Sequence, residues 1–126
     1  MSSKRTSKTK GTKLMQAYNL YYLDDSERGI WEAESKGYRS DVYIELQDDV
    51  FHINVYDQIR LIQDFEEEIK QYGYYQIEPN IVLVQTVNEK EILNTINNLI
   101  RTDYFQNIKP VEKEEIKKMN LIKRIK

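Results

Sequence analysis

The sequence contains no cysteine, one histidine and only four glycines. The lack of cysteine excludes disulfides, thiolate nucleophiles and zinc fingers, and it fits a chain kept in a reducing cytoplasm. The single histidine, His52, excludes the HExxH metal motif, and neither a glycine-rich phosphate loop nor a GxSxG signature is present. We therefore expect no cofactor, no bound metal and no enzymatic activity.

Long apolar runs are also missing. The longest, IVLV at residues 81–84, is far shorter than the roughly 20 residues that cross a bilayer. The basic N-terminus is not followed by the apolar stretch of about 7–15 residues that a signal peptide requires. The sequence thus predicts a cytoplasmic chain without a membrane partner.

Charge is distributed unevenly along the 126 residues. Residues 1–13 hold five bases and no acid, residues 14–109 hold eight bases and eighteen acids, and residues 110–126 hold six bases and three acids. This pattern predicts a disordered basic arm (1–13), a single acidic domain (14–109) and a C-terminal helix or basic tail (110–126). The basic groups of the arm are Lys4, Arg5, Lys8, Lys10 and Lys13.

The N-terminal half of the domain is predicted to consist mainly of strands. The aromatic-rich segment LMQAYNLYYL (14–23) predicts one strand and IWEAESKGY (30–38) a second. Alternating apolar residues over 40–57 predict a hairpin with a two-residue turn at Asp48 and Asp49. That register places Ile44 opposite Ile53 and His52 opposite Glu45.

Helical periodicity dominates the second half. Asp57 predicts the N-cap of a helix that ends at Gly73, and Asn88 predicts the N-cap of another. The apolar stripe of the first of these helices is Ile62, Phe65, Ile69 and Tyr72. Between them, NIVLVQTV (80–87) predicts an interior strand, and Pro110 predicts the first position of a terminal helix. Together these elements predict an α+β fold with a mainly antiparallel sheet and two to three helices.

Tyrosine is the most abundant aromatic residue, and it supplies the first candidate site. Tyr43 and Tyr56 alternate onto the outer face of the hairpin, with Arg39 nearby. Such a face could stack unpaired bases while the basic arm contacts phosphates. The same tyrosines could instead cover the core.

Carboxylates support two further hypotheses. One is an acidic face that steers a basic protein partner into contact, formed by Asp24, Asp25, Glu45, Asp48 and Asp49. The other is the pair Glu34 and Lys36, which has the acid-x-lysine spacing of some metal-dependent nucleases. No acidic cluster matches a complete metal motif, so solvated surface is the simpler interpretation.

For His52, a structural cross-strand pair with Glu45 is likewise a simpler interpretation than a catalytic role.

Four segments resemble the PrgU type, small cytoplasmic regulators carried by Gram-positive conjugative plasmids. They are YNLYYLDD (18–25), SDVYIEL (40–46), INVYDQIRLIQD (53–64) and EPNIVLVQTV (78–87). The resemblance implies a PUA-like fold, in which the sheet curls into a mixed barrel often used for RNA. It also implies a regulatory role that limits the production of surface adhesins.

The sequence therefore favours a non-enzymatic cytoplasmic regulator that binds RNA or a ribonucleoprotein and limits expression of conjugation or surface-adhesin genes. The alternative is an acidic protein antagonist, such as a toxin-immunity protein or a phage-type inhibitor, that binds a basic protein. The oligomeric state is left open by the sequence.

Overall fold

The computed structural model describes residues 16–126, which form a five-stranded sheet and three α-helices. The strands are β1 (Tyr18–Tyr22), β2 (Tyr38–Leu46), β3 (Asp49–Tyr56), β4 (Ile81–Leu83) and β5 (Asn120–Ile125). The helices are α1 (Glu27–Lys36), α2 (Gln58–Tyr72) and α3 (Glu89–Arg101), with short 3-10 helices at Tyr104–Asn107 and Lys113–Lys118. The predicted α+β class is confirmed.

The sheet is mixed and open. Its strand order is β4-β3-β2-β1-β5, in which only the β3–β4 pair is parallel. Within residues 16–126 the two edge strands, β4 and β5, lie at opposite ends of this order and do not pair with each other. The expected curling into a PUA-like barrel is therefore unsupported, because closure would require those edges to meet.

The predicted β2–β3 hairpin is confirmed, but its register differs. Leu46 pairs with Asp49, so the turn residues are Gln47 and Asp48, and Ile44 lies opposite Phe51. The change moves each partner by two residues, so the same side chains still face the core. Gln47 has a positive φ of 58°, which fits a type II′ turn, a turn in which only the first central residue is left-handed.

The predicted second strand is wrong, because residues 27–36 form α1. The Ser26 hydroxyl accepts a hydrogen bond from the Gly29 amide at 3.0 Å and caps the helix. The helix ends at Gly37, whose φ of 70° is left-handed. Ala33 is the residue of α1 that reaches the core.

One face of the sheet and α3 enclose the core. Alternate residues of the three central strands are buried on this face: Tyr18, Leu20, Tyr22, Val42, Ile44, Phe51, Ile53 and Val55. Against them pack Ile92, Ile96 and Ile100 of α3. Asn88 caps α3 as predicted, since its Oδ1 accepts from the Glu91 amide at 2.9 Å. Because α3 covers this face, the strand residues that alternate with the core residues point to the opposite face of the sheet.

Two predictions for the C-terminal half are wrong. Segment 80–87 does not form an interior strand, because only Ile81–Leu83 is a strand and it lies at the sheet edge. The segment after Pro110 does not form the predicted terminal helix, since it contains only the short 3-10 helix Lys113–Lys118 followed by β5. Val111 donates its amide to the Val50 carbonyl at 2.8 Å, and β5 then pairs antiparallel with β1. Because Ile122 and Ile125 pack against the core, long-range pairing outweighs the local helical pattern.

Candidate protein-interaction surface

Arg39, a predicted RNA-contacting residue, is an internal structural residue. Its side chain is only 5 % exposed, and its Nε lies 2.8 Å from Asp41 Oδ1. The guanidinium also donates to the Asp24 carbonyl and stacks over the Tyr22 ring, with Cζ 3.7 Å from the ring centroid. These contacts tie the end of β1 to the start of β2, and they remove Arg39 from the predicted RNA platform.

Tyr56 does not belong to that platform either, because it is only 9 % exposed. Its ring lies 4.6 Å from the ring of Tyr38, centroid to centroid. Burial raises the pKa of Tyr56, and the nearby Tyr38, Tyr75 and Asp64 act in the same direction. Tyr56 therefore supports the packing beneath α2.

Tyr43 is the one predicted platform residue that keeps a partly exposed ring. It lies opposite His52, and the two rings stack at 4.5 Å with an interplanar angle of 16°. Burial raises the pKa of Tyr43, with a further contribution from Glu115. The predicted His52–Glu45 pair does not form: His52 Nε2 lies 2.5 Å from the Ser40 carbonyl oxygen, and Glu45 accepts from Tyr21.

The basic arm residues Lys4, Arg5, Lys8, Lys10 and Lys13 lie outside the described residues. The predicted acidic face does not form one cluster. Asp24 adjoins Arg39 at the start of β2, whereas Asp48 and Asp49 lie at the hairpin tip beyond Leu46. Seven strand residues, about 23 Å, separate these ends.

The nuclease-like pair also fails to form a site. Glu34 and Lys36 both lie on α1 and are exposed, and residues two apart on a helix do not face each other. Among the residues that the structure describes, no three acidic or histidine side chains are arranged to hold a metal ion.

Helix α2 exposes its apolar stripe to solvent. The ends of α2 are as predicted: Asp57 Oδ1 accepts from the Arg60 amide at 2.9 Å, and Gly73 ends the helix with a φ of 84°. No residue of α2 is buried, although amphipathic helices normally turn their apolar face to the core. The stripe residues are between 40 and 58 % exposed, and they are Ile62, Phe65, Ile69 and Tyr72.

A different flank of α2 faces the domain. Its partly covered residues are Arg60, Leu61, Asp64 and Glu68, about a quarter of a turn away from the centre of the apolar stripe. Arg60 holds this flank in place: it pairs with Asp64 at 3.0 Å, donates to the Lys36 carbonyl at 3.4 Å, and lies 5.2 Å from the Tyr38 ring centroid. The contacts of Arg60 with the Lys36 carbonyl and the Tyr38 ring, together with the partly covered Leu61 beside Ile81, therefore orient α2 without burying its stripe.

The apolar stripe continues into the loop that follows α2. Ile77 is 71 % exposed and shares a cavity wall with Ile62 and Phe65. We call the four stripe residues together with Ile77 the α2 surface. A contiguous apolar patch of this kind on a small domain is typical of a binding interface.

The α2 surface has an acidic border. Residues 57–83 contain six acids and two bases, a net charge of −4, and Arg60, one of the two bases, is already paired with Asp64. Two glutamates flank the stripe on the helix, Glu66 on one side and Glu68 on the other, whereas Glu67 lies on the opposite face. The surface therefore combines apolar contact area with a negative field.

Sequence reasoning identified the stripe as one face of an amphipathic helix but not its exposure, because periodicity shows which residues share a face and not what covers that face. Glu66 and Glu68, which flank the stripe, were the available signal that it borders solvent.

None of the helices formed by residues 16–126 has the length and apolar character needed to span a membrane. Comparison of the chain with protein-family models, with curated proteins and with solved structures gives no match. The PrgU resemblance therefore stays a prediction.

Proposed function

We propose that this chain is a non-enzymatic binding domain that docks a basic protein partner on the α2 surface. The observation that carries the proposal is the exposure of Ile62, Phe65, Ile69 and Tyr72 on a helix that is otherwise capped and folded. Complete burial of a large apolar side chain is worth about 1.5–3 kcal/mol, and because these four are about half exposed, roughly half of that is forgone at each. A partner that covers them would recover much of that free energy.

The charge of the domain supports a basic partner. The described residues contain fourteen bases and twenty-one acids, a net charge of −7, and the border of the α2 surface is acidic. Opposite charge on the partner would speed association and exclude acidic competitors. This is the protein-antagonist alternative of the sequence analysis, now located on α2 instead of on the acidic residues of the hairpin.

Site-specific photo-crosslinking tests the proposal. A photoreactive amino acid is introduced at Ile69, on the stripe, or at Gln71, which is also exposed but lies on the opposite side of the helix. Cells are irradiated and adducts are identified by mass spectrometry. We expect a protein adduct from position 69, with a basic segment at the crosslink, that resists nuclease treatment.

The matched position gives the contradicting outcomes. Equal adducts from positions 69 and 71 would indicate non-specific collision, and nuclease-sensitive adducts would indicate RNA. Absence of any protein adduct at position 69 would also contradict the proposal.

RNA binding by a regulator of the PrgU kind is the second candidate function. It is favoured by the partly exposed Tyr43–His52 ring stack on the sheet, to which a base could be added, and by the five cations of the arm. Deletion of residues 2–13 should flatten the salt dependence of RNA binding, and Tyr43→Ala should weaken it. Salt-independent binding, or no RNA binding, would contradict this candidate.

A further inference from the structure

An apolar cavity of about 170 Å³ opens at the base of the α2 surface, between α2 and the edge strand β4. Every side chain that lines it is aliphatic or aromatic: Leu61, Ile62, Phe65, Tyr75, Ile77 and Ile81. The exposed wall of this cavity is apolar, so water within it finds few hydrogen-bonding partners. It is therefore suited to an apolar group.

The wall of the cavity is preorganised. Phe65 and Tyr75 meet edge to face, with ring centroids 5.7 Å apart and an interplanar angle of 86°. Tyr75 also lies close enough to Tyr56 for each to affect the pKa of the other, and Tyr56 is buried. Because a fixed wall loses little side-chain entropy on binding, the cavity can contribute affinity as an anchor site.

The size of the cavity limits the occupant. A buried apolar cavity of about 150 Å³ accommodates one benzene molecule, so a cavity of about 170 Å³ takes a single aromatic ring or one branched aliphatic side chain. The opening toward solvent leaves room for the backbone that carries this side chain.

Charge around the opening specifies the neighbours of the anchor. Glu68 lies on the flank of α2 beside Leu61 and Phe65, and Glu78 directly follows Ile77. A partner residue seated in the cavity would therefore have its sequence neighbours close to carboxylates. Lysine or arginine at those positions would be favoured, and acids would be repelled.

We infer that the cavity binds one phenylalanine or leucine side chain of the partner, flanked in the partner by basic residues. The inference rests on the proposed function and names the recognition element within it. A second copy of this chain fits less well, because docking two α2 surfaces would bring their acidic borders together.

A peptide titration tests the inference. The probe is a synthetic 14-residue helical peptide with one central phenylalanine between lysines, added to the full-length protein and followed by the amide NMR spectrum. We expect shifts in residues 61–81 and at least a tenfold loss of affinity when the phenylalanine of the peptide is replaced by alanine. A peptide with glutamate in place of lysine should not bind.

The protein supplies a matched pair of variants. Ile77 and Ile59 are 71 and 70 % exposed, so neither Ile77→Ala nor Ile59→Ala should disturb folding, but only Ile77 lines the cavity. Ile77→Ala should weaken binding of the phenylalanine peptide about three- to tenfold, and Ile59→Ala should leave it unchanged. Equal effects of the two variants, or equal affinity for the alanine peptide, would overturn the anchor assignment.

Two outcomes separate this inference from the proposed function. A protein crosslinked at position 69 in cells, combined with peptide shifts outside residues 61–81, would refute the anchor and keep the proposed function. Peptide binding in the cavity without any protein adduct at position 69 would support the anchor and refute the proposed function. A free protein that is already dimeric, with the peptide unable to enter, would overturn the inference.

Discussion

Replacing isoleucine by alanine at Ile69 and at Ile96 distinguishes an exposed stripe from a core stripe. Both residues lie inside helices at positions that the sequence pattern assigns to an apolar face. Ile96 is fully buried against the sheet, whereas Ile69 is 40 % exposed. Equilibrium unfolding in urea reports the free energy of unfolding of each variant.

The two substitutions should differ severalfold in cost. Removing a buried isoleucine leaves a cavity and destabilises a protein by about 2–5 kcal/mol, so Ile96→Ala should lie in that range. Ile69 loses only the covered part of its side chain, about 1 kcal/mol. The higher helix propensity of alanine offsets a few tenths of a kcal/mol of this loss. Ile69→Ala should therefore cost less than about 1 kcal/mol.

The control is the denaturant slope, which should be the same for both variants if each unfolds in two states. Equal destabilisation by Ile69→Ala and Ile96→Ala would refute the reasoning, because it would mean that α2 buries its stripe in the free domain.

Three other perturbations test the internal contacts. Arg39→Met should lower the free energy of unfolding in urea by about 3 kcal/mol, because it leaves the largely covered Asp41 carboxylate without its paired charge. Arg124→Met, on the exposed part of β5, should change it by no more than about 0.5 kcal/mol. Similar losses from the two variants would contradict the role of Arg39. Gln47→Gly should raise stability by up to about 1 kcal/mol, since glycine adopts the positive φ without strain, and a loss of stability would contradict the type II′ turn. Burial raises the pKa of Tyr18 to about 12 from the usual 10, because the folded state favours the neutral hydroxyl. The stability that this hydroxyl contributes is therefore complete below pH 10 and is lost as pH rises from 10 toward 12. In an alkaline titration Tyr18→Phe should lose less stability over that window than the wild type, and an equal loss would contradict this assignment.

The sequence predicted the local features of the fold well. Asp57 and Gly73 bound α2, and Asn88 caps α3, because a cap depends on residues within one turn. The alternation in the hairpin identified its buried face for the same reason, although the turn was placed one residue too late.

Features that depend on distant partners were not predictable. Residues 120–125 pair with β1, about a hundred residues earlier in the chain, and no local pattern reports that contact. The burial of Arg39 depends on Tyr22, Asp24 and Asp41 converging around it, whereas the sequence shows only a cation near two tyrosines. α1 was predicted as a strand from its aromatic and apolar residues, and the local signal of a Ser26 cap was not recognised.

The α2 surface was predictable in its local features but not in its tertiary ones. The residues of the α2 stripe were identified from their spacing, yet their exposure follows from the way Arg60 holds the polar flank of the helix against Tyr38 and the Lys36 carbonyl. That orientation is a tertiary property, and it turns a predicted apolar face into a proposed interface.

Hydroxyl-radical footprinting of Phe65 and Tyr72 tests the central claim most directly. The purified full-length protein should be oxidised at both rings, and the crosslinked complex recovered from cells should be protected at both. Tyr18, which is buried in the core, should be unreactive in both samples and serves as the reference. Protection of Phe65 and Tyr72 in the free monomer, or unchanged oxidation in the complex, would contradict the account.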